Sequence, residues 1–383
     1  MNKRKFCYFS VFARQDQNVA MKQLESLVNA NYDVTMLVCD GLPDEEKNGV
    51  FITSINAESQ IGSYFKRLFV FPFLLYKKLK QIDAITYQTC DVDSLIICLF
   101  LLLRGKKIVF NLVESHPYTL YSKLRLPLFV KHIIVWIIKQ LMIFVLKKVD
   151  VVYTVSLDIK KYLEKWGLRN IELLGNYPVY RNDFSITKDE YLKRDNKIIY
   201  FGAIYNISRQ EVFFDALAQC HNVKYLLAGD FGIGDYREQL EKHPMWKEIE
   251  FINRFEKKAL YSMLDECTIS NVLRDFNFTG SPHGSLGIIK LFESMEAGLP
   301  IICSNVEVYR EMMNEYRCGI LVDPNDSEQI MNAIMYLVNN KEDAYQMGQE
   351  GRRAVREKFN WEAESKKYIE KINNINLKYN VSI

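Results

Sequence analysis

The sequence has no pattern that would pair or metallate its cysteines. Its eight, at positions 7, 39, 90, 98, 220, 267, 303 and 318, form no C-x-x-C, and several sit inside apolar runs such as Leu95–Leu103. That argues for small buried hydrophobes in a reducing compartment, against a disulfide framework or a zinc site. It also lacks a charge excess: 50 Lys and Arg face 47 Asp and Glu, a formal +3. A dedicated nucleic-acid binder would show a strong basic surplus. No run reaches the roughly 18 uncharged apolar residues of a spanning helix. The opening MNKRKFCYFSVF has only a short apolar stretch before Arg14 and Asp16, and reads as a first buried strand rather than a secretory leader.

What is present is an apolar chain, 49% by composition and 383 residues long, enough for two cores and too much for one. Strand-like runs alternate with helical segments, the signature of parallel sheets with crossover helices. Phe6–Val11, Asp33–Val38, Ala84–Gln88, Lys107–Asn111 and Val151–Val155 read as strands of a first unit. Ser156 reads as the N-cap of a helix over 157–166, and Asp91 or Asp93 as a cap before the helix 94–103. A charge-rich stretch, 181–196, reads as a linker. The alternation then restarts at Lys197–Phe201 and runs to Gly319–Val322. Two such units place a ligand cleft between them, at the carboxyl ends of their strands.

The segment Ser281 to Pro300, SPHGSLGIIKLFESMEAGLP, is a Gly-rich loop entering an amphipathic helix that stops at Gly298. Free N–H groups at Gly287, Ile288 and Ile289 would suit a diphosphate at the positive end of the helix. Lys290 adds a point charge, and Glu293 can accept two hydrogen bonds from a ribose diol. An ordinary loop-helix with a surface lysine and glutamate fits the pattern equally.

This segment resembles the signature of GT-B glycosyltransferases, especially family 4-like enzymes, in which Lys290, Leu291, Glu293, Met295, Gly298, Pro300 and Ile302 fall in register. Tyr200-Phe-Gly-Ala-Ile204 with Arg209, Ala228-Gly-Asp230, Asp91-Val-Asp-Ser-Leu95, Asn111-Leu-Val-Glu114, Asn176-Tyr-Pro178, Gly319-Ile-Leu-Val-Asp-Pro324 and Phe359-Asn-Trp361 are similar to further stretches of that family. The resemblance implies an α/β fold of two Rossmann-like domains facing each other across a cleft, with a C-terminal helix crossing back to the first. Residues 1–180 would be the acceptor-side domain, 181–358 the nucleotide-sugar domain, and 359–383 the returning helix.

It further implies a transferase that moves a hexose-type sugar from a nucleoside diphosphate, UDP foremost, to a glycan or lipid-linked glycan of the cell envelope, with retention. Gly202, Arg209, His283, Ser285, Leu286, Gly287, Ile288, Ile289, Lys290 and Glu293 would bind the donor. Glu114 and His116 would serve the acceptor side. No cofactor or metal is expected: a loop-helix diphosphate site needs no divalent ion, and the D-x-D at Asp91–Asp93 reads as a cap. Ser285 stands where many relatives carry a first glutamate, and Val113 where they carry a histidine. Those departures leave open a second class, a non-catalytic sugar-nucleotide or glycan-binding relative. An epimerase or phosphorylase would share the scaffold, but the pyridoxal-binding lysine motif of phosphorylases is not found.

Two stretches point to a membrane surface. Between 115 and 149 there is no acid, while Lys123, Arg125, Lys131, Lys139, Lys147 and Lys148 flank a long apolar run. Around Leu68 to Tyr76, Lys66, Arg67, Lys77, Lys78 and Lys80 repeat the theme. Such faces suit an anionic bilayer, and imply a cytoplasmic protein peripheral on the inner face of the membrane.

Overall fold

The computed structural model describes residues 3–55, 70–112, 127–181, 186–232, 234–278 and 281–380. By contact the chain divides into two units, Met1–Leu174 with Glu364–Ile383, and Gly175–Ala363.

The first unit holds eight strands: β1 Arg4–Phe9, β2 Tyr32–Val38, β3 Glu45–Lys47, β4 Val50–Ser54, β5 Thr86–Thr89, β6 Lys107–Asn111, β7 Val151–Thr154 and β8 Ile171–Leu173. Their order is β3-β4-β2-β1-β5-β6-β7-β8, parallel throughout except the β3–β4 edge pair. Both faces of β1 are buried, which is why it reads as an unbroken apolar run. Phe6 and Tyr8 point into one core and Cys7 and Phe9 into the other. The first core receives the helix Asn18–Asn29 and the C-terminal helix Trp361–Asn380, through Tyr368, Ile372 and Ile375. Polar pairs fix that docking in register: Tyr368 donates to Gln88 at 2.5 Å, Thr86 to Asn376 at 2.6 Å and Tyr32 to Asn373 at 2.6 Å. All eight cysteines are free thiols, five of them fully buried.

The second unit holds β9 Lys197–Phe201, β10 Lys224–Ala228, β11 Glu250–Ile252, β12 Ile269–Val272, β13 Ile301–Ser304 and β14 Gly319–Val322. All are parallel, in the order β11-β10-β9-β12-β13-β14. The order reverses between β9 and β12, so ligands of such a sheet bind at the carboxyl ends of those two strands. Ile198 and Tyr200 face one core, Ile199 and Phe201 the other.

Three expectations need correction. The stretch read as a linker contains a helix, Lys188–Lys193, started by a reciprocal capping box between Thr187 and Glu190. Asp91 stands at the N-cap of the 3-10 turn 92–94 without a side-chain cap bond, and the N-cap position of the helix Leu95–Leu103 falls on Ser94 rather than on Asp91 or Asp93. The Asp91 carboxylate instead accepts from the backbone N–H of Val11 at 2.6 Å, and burial raises its pKa to about 6. Finally, Leu128–Leu146 is a helix of 19 residues, long and apolar enough by composition to cross a membrane despite its two lysines. Ser156 does cap its helix, accepting from Ile159 N–H at 3.5 Å.

Candidate functional site

The candidate donor site is assembled from four segments at the carboxyl end of the second sheet. The first is the turn after β9. Gly202 takes a left-handed φ of +100° and donates its N–H to Ala228 O at 2.9 Å. Beside it Gly229 closes β10; a Cβ there would lie 1.8 Å from Gly202 O. The two strand ends can approach this closely only because Gly229 carries no side chain.

The second segment follows β12. Ser304, ending β13, brackets Arg274: its Oγ accepts from Arg274 N–H at 2.9 Å and donates to Arg274 O at 2.7 Å. Asp275 N–H bonds Ile207 O at 2.7 Å, and the Asp275 carboxylate lies 3.0 Å from the Arg209 guanidinium. Arg209 also meets Glu211 at 3.3 Å. It sits in the left-handed region, φ +51°, where the 3-10 turn 206–208 hands over to the helix Gln210–Leu217. Its guanidinium thus ties the loop after β9 to the loop after β12.

The third is the loop 281–288. Gly284, φ +92°, turns the chain where a Cβ would strike Val306 and Val308. Tyr309 OH donates to Ser285 O at 3.3 Å, and Ser285 Oγ accepts from Gly287 N–H at 3.0 Å. The Gly287 amide, expected to be free, is therefore already held by Ser285. His283 turns toward the helix Glu307–Glu315, its Nε2 being 3.4 Å from Glu307. Leu286 is half-buried.

The fourth is the helix Ile289–Glu296. Its first amides have no partner within the helix, and among the described residues no hydrogen bond uses those of Ile288 and Ile289. Ser294 anchors the helix to β12 through Ser270, Oγ to Oγ 2.7 Å. Phe292 meets Tyr177 edge-on at 4.9 Å. Lys290 lays its ammonium 3.7 Å above the Tyr200 ring, close to Gly202, and no carboxylate pairs with it among the described residues. Burial, with Arg274 adding repulsion, lowers its pKa to about 7. Glu293 is 8% exposed and 3.5 Å from Lys257, whose own side chain is 69% exposed. That contact is long and its cation solvated, so it contributes little. One turn on, Glu296 accepts from Arg181 N–H at 2.7 Å, and burial raises its pKa to about 7.

The structure therefore gathers Ile288, Lys290 and Arg274 around a small cavity with Tyr200 and Leu273, and Gly202 lies beside the Lys290 side chain. Arg274 was missed by the sequence reading. The one signal was its place directly after an apolar run. Glu114 and His116 lie outside the described residues. Among the described residues no group of three His, Cys, Asp or Glu could hold a metal.

Residues 183–354 match the family described as Glycosyl transferases group 1. The O-antigen biosynthesis glycosyltransferase WclY of Escherichia coli is 22% identical over 279 residues, 70% of this chain and 73% of that protein. Among solved structures, sucrose-phosphate synthase from Thermosynechococcus elongatus superposes with a TM-score of 0.76 at 16% identity, over 98% of this chain and 100% of that one. HepE of Anabaena, solved with UDP and glucose, gives 0.72 at 12% identity over 97% and 99%. WaaG, a glycosyltransferase involved in lipopolysaccharide biosynthesis, gives 0.66 at 13% over 95% and 98%. A group 1 match across the second unit, a glycosyltransferase relative and two parallel sheets of this order agree: the chain is a glycosyltransferase of the GT-B fold.

Proposed function

We propose that this enzyme transfers a hexose-type sugar from UDP to a glycan or lipid-linked glycan in cell-envelope polysaccharide synthesis, with retention. The observation that carries the reading is the convergence of unpaired positive groups at the sheet's switch point. Ile288 and Lys290 line one cavity at the start of the helix Ile289–Glu296, where the first amides carry the positive end of the helix. Glu293, three residues further, takes the ribose diol. Ser285 shapes the loop that faces the sugar, its hydroxyl accepting from Gly287 N–H and its carbonyl from Tyr309 OH. Glu114 and His116 keep the acceptor side. In a retaining transfer the donor's own phosphate can act as base while fixed dipoles stabilise the departing diphosphate, so no protein nucleophile is required. The UDP bound to HepE and the O-antigen and lipopolysaccharide roles of WclY and WaaG support the choice of donor and product class.

Glu293→Ala is expected to cut UDP-sugar hydrolysis and transfer about 100-fold, since it removes hydrogen bonds to a charged acceptor. EDTA is expected to leave both unchanged. Tight UDP binding with no turnover on any glycan would instead favour a binding protein.

The reading places the protein on the inner face of the cytoplasmic membrane. Three neighbouring helices of the first unit, Phe71–Ile82, Leu95–Leu103 and Leu128–Leu146, leave large apolar side chains in solvent. Phe73, Leu103, Leu128, Phe129 and Trp136 are each more than 60% exposed. Lys77, Lys78, Lys80, Lys131 and Lys139 lie on these helices and Lys147 and Lys148 directly after the last, and the helix 128–146 has no acid. Each basic group near anionic lipid adds about 1 kcal/mol. The chain should sediment with phosphatidylglycerol-containing vesicles at low salt and be released at about 0.5 M salt, where screening is short-ranged. Trp136→Glu with Phe129→Glu should abolish pelleting; binding insensitive to salt and to both changes contradicts the docking.

A further inference from the structure

We propose that Arg274 supplies the guanidinium that grips the donor's diphosphate, in the role the sequence gives to Arg209. The assignment rests on the donor reading above and names a binding residue for that site.

The two arginines differ in what already holds them. Arg209 is engaged twice, by Asp275 at 3.0 Å and Glu211 at 3.3 Å. Freeing it for a phosphate would strip a half-buried guanidinium from two carboxylates and leave the buried Asp275 with one cation fewer. Arg274 has no carboxylate partner among the described residues; the Phe276 ring lies 5.9 Å from its guanidinium carbon. Its backbone is fixed on both sides by Ser304 Oγ, so the side chain leaves from a rigid base.

Position agrees with charge. Arg274 follows β12, one of the two strands flanking the switch point, and lines the cavity shared with Tyr200, Ile288 and Lys290. It also lines the adjoining cavity of about 180 Å³ with Ser304, Asn305 and Asp323. Desolvation and, after it, Arg274 lower the pKa of the lysine, and desolvation lowers that of the arginine. Two neighbouring cations with no carboxylate in ion-pair contact among the described residues leave a site short of negative charge, which a diphosphate supplies. A planar guanidinium fits two phosphate oxygens at once, where an ammonium meets one.

Calorimetric titration of the full chain with UDP and with uridine separates the possibilities, because only UDP carries phosphate. Arg274→Gln should weaken UDP about tenfold or more, leave uridine within twofold, and recover partly in Arg274→Lys. Unchanged uridine affinity shows that the nucleoside end of the site is still folded. Arg209→Gln should change the UDP-to-uridine ratio by less than threefold. If Arg274→Gln binds UDP within twofold of wild type, the assignment is overturned; a tenfold loss confined to Arg209→Gln returns the role to Arg209. Wild-type chain that binds UDP no tighter than uridine contradicts the donor reading itself, and this assignment with it.

Discussion

Lys290→Met is expected to weaken UDP binding about tenfold at pH 7 and to erase its decline at higher pH. The free ammonium has a pKa lowered to about 7 by burial and by Arg274. A bound diphosphate stabilises the charged form and lifts that pKa. The form that binds well is thus the protonated one, and above pH 7 binding must take up a proton. Wild-type affinity should therefore fall between pH 7 and 9, approaching tenfold per unit. Across that range the phosphate, with its second pKa near 6, is about 90% ionised or more and contributes little slope of its own. Methionine keeps the bulk over Tyr200 and removes the charge, so its titration should be flat. A wild-type profile flat from pH 7 to 9 means Lys290 does not meet the diphosphate.

Gly229→Ala has the largest expected effect on stability. Its Cβ would lie 1.8 Å from Gly202 O, backbone against backbone, with no flexible side chain to yield. The added φ of +150° suits no L side chain. Strain and overpacking together should cost about 3 kcal/mol or more, read as a lower urea midpoint at unchanged slope. What remains folded must displace Gly202, beside which the Lys290 ammonium rests, so UDP affinity should fall as well. Gly105→Ala is the control. Its φ is +70° but nothing lies within 4 Å, and only about 1 kcal/mol of backbone strain is expected. Equal losses in the two variants would show that the close approach of β9 and β10 does not matter.

The parts of the fold that depend on burial were legible in the sequence. Ile198, Ile199, Tyr200 and Phe201 read as a strand because both faces of a parallel sheet are covered, so no polar residue interrupts the run. The edge strand Glu45–Lys47 was missed for the converse reason: all three residues are exposed, and no apolar pattern marks it. The helix Lys188–Lys193 vanished into a charge-rich stretch, although Thr187 and Glu190 carry the spacing of a capping box. At the site, Lys290 and Glu293 lie on one short helix and could be found from local spacing. Arg274 could not, because it joins them only through the return of β12 alongside β9. Ser285 was read as a sugar contact; spacing alone did not reveal that its hydroxyl also accepts from a local amide two residues on, a bond that short polar side chains make readily in tight turns.

The most direct test of the account is a crystal structure of the full chain with UDP. The pyrophosphate should lie against the Ile288 and Ile289 amides and the Lys290 ammonium, with Glu293 on the ribose hydroxyls and no longer turned to Lys257. UDP bound elsewhere on the chain, with Glu293 still facing Lys257, would contradict it.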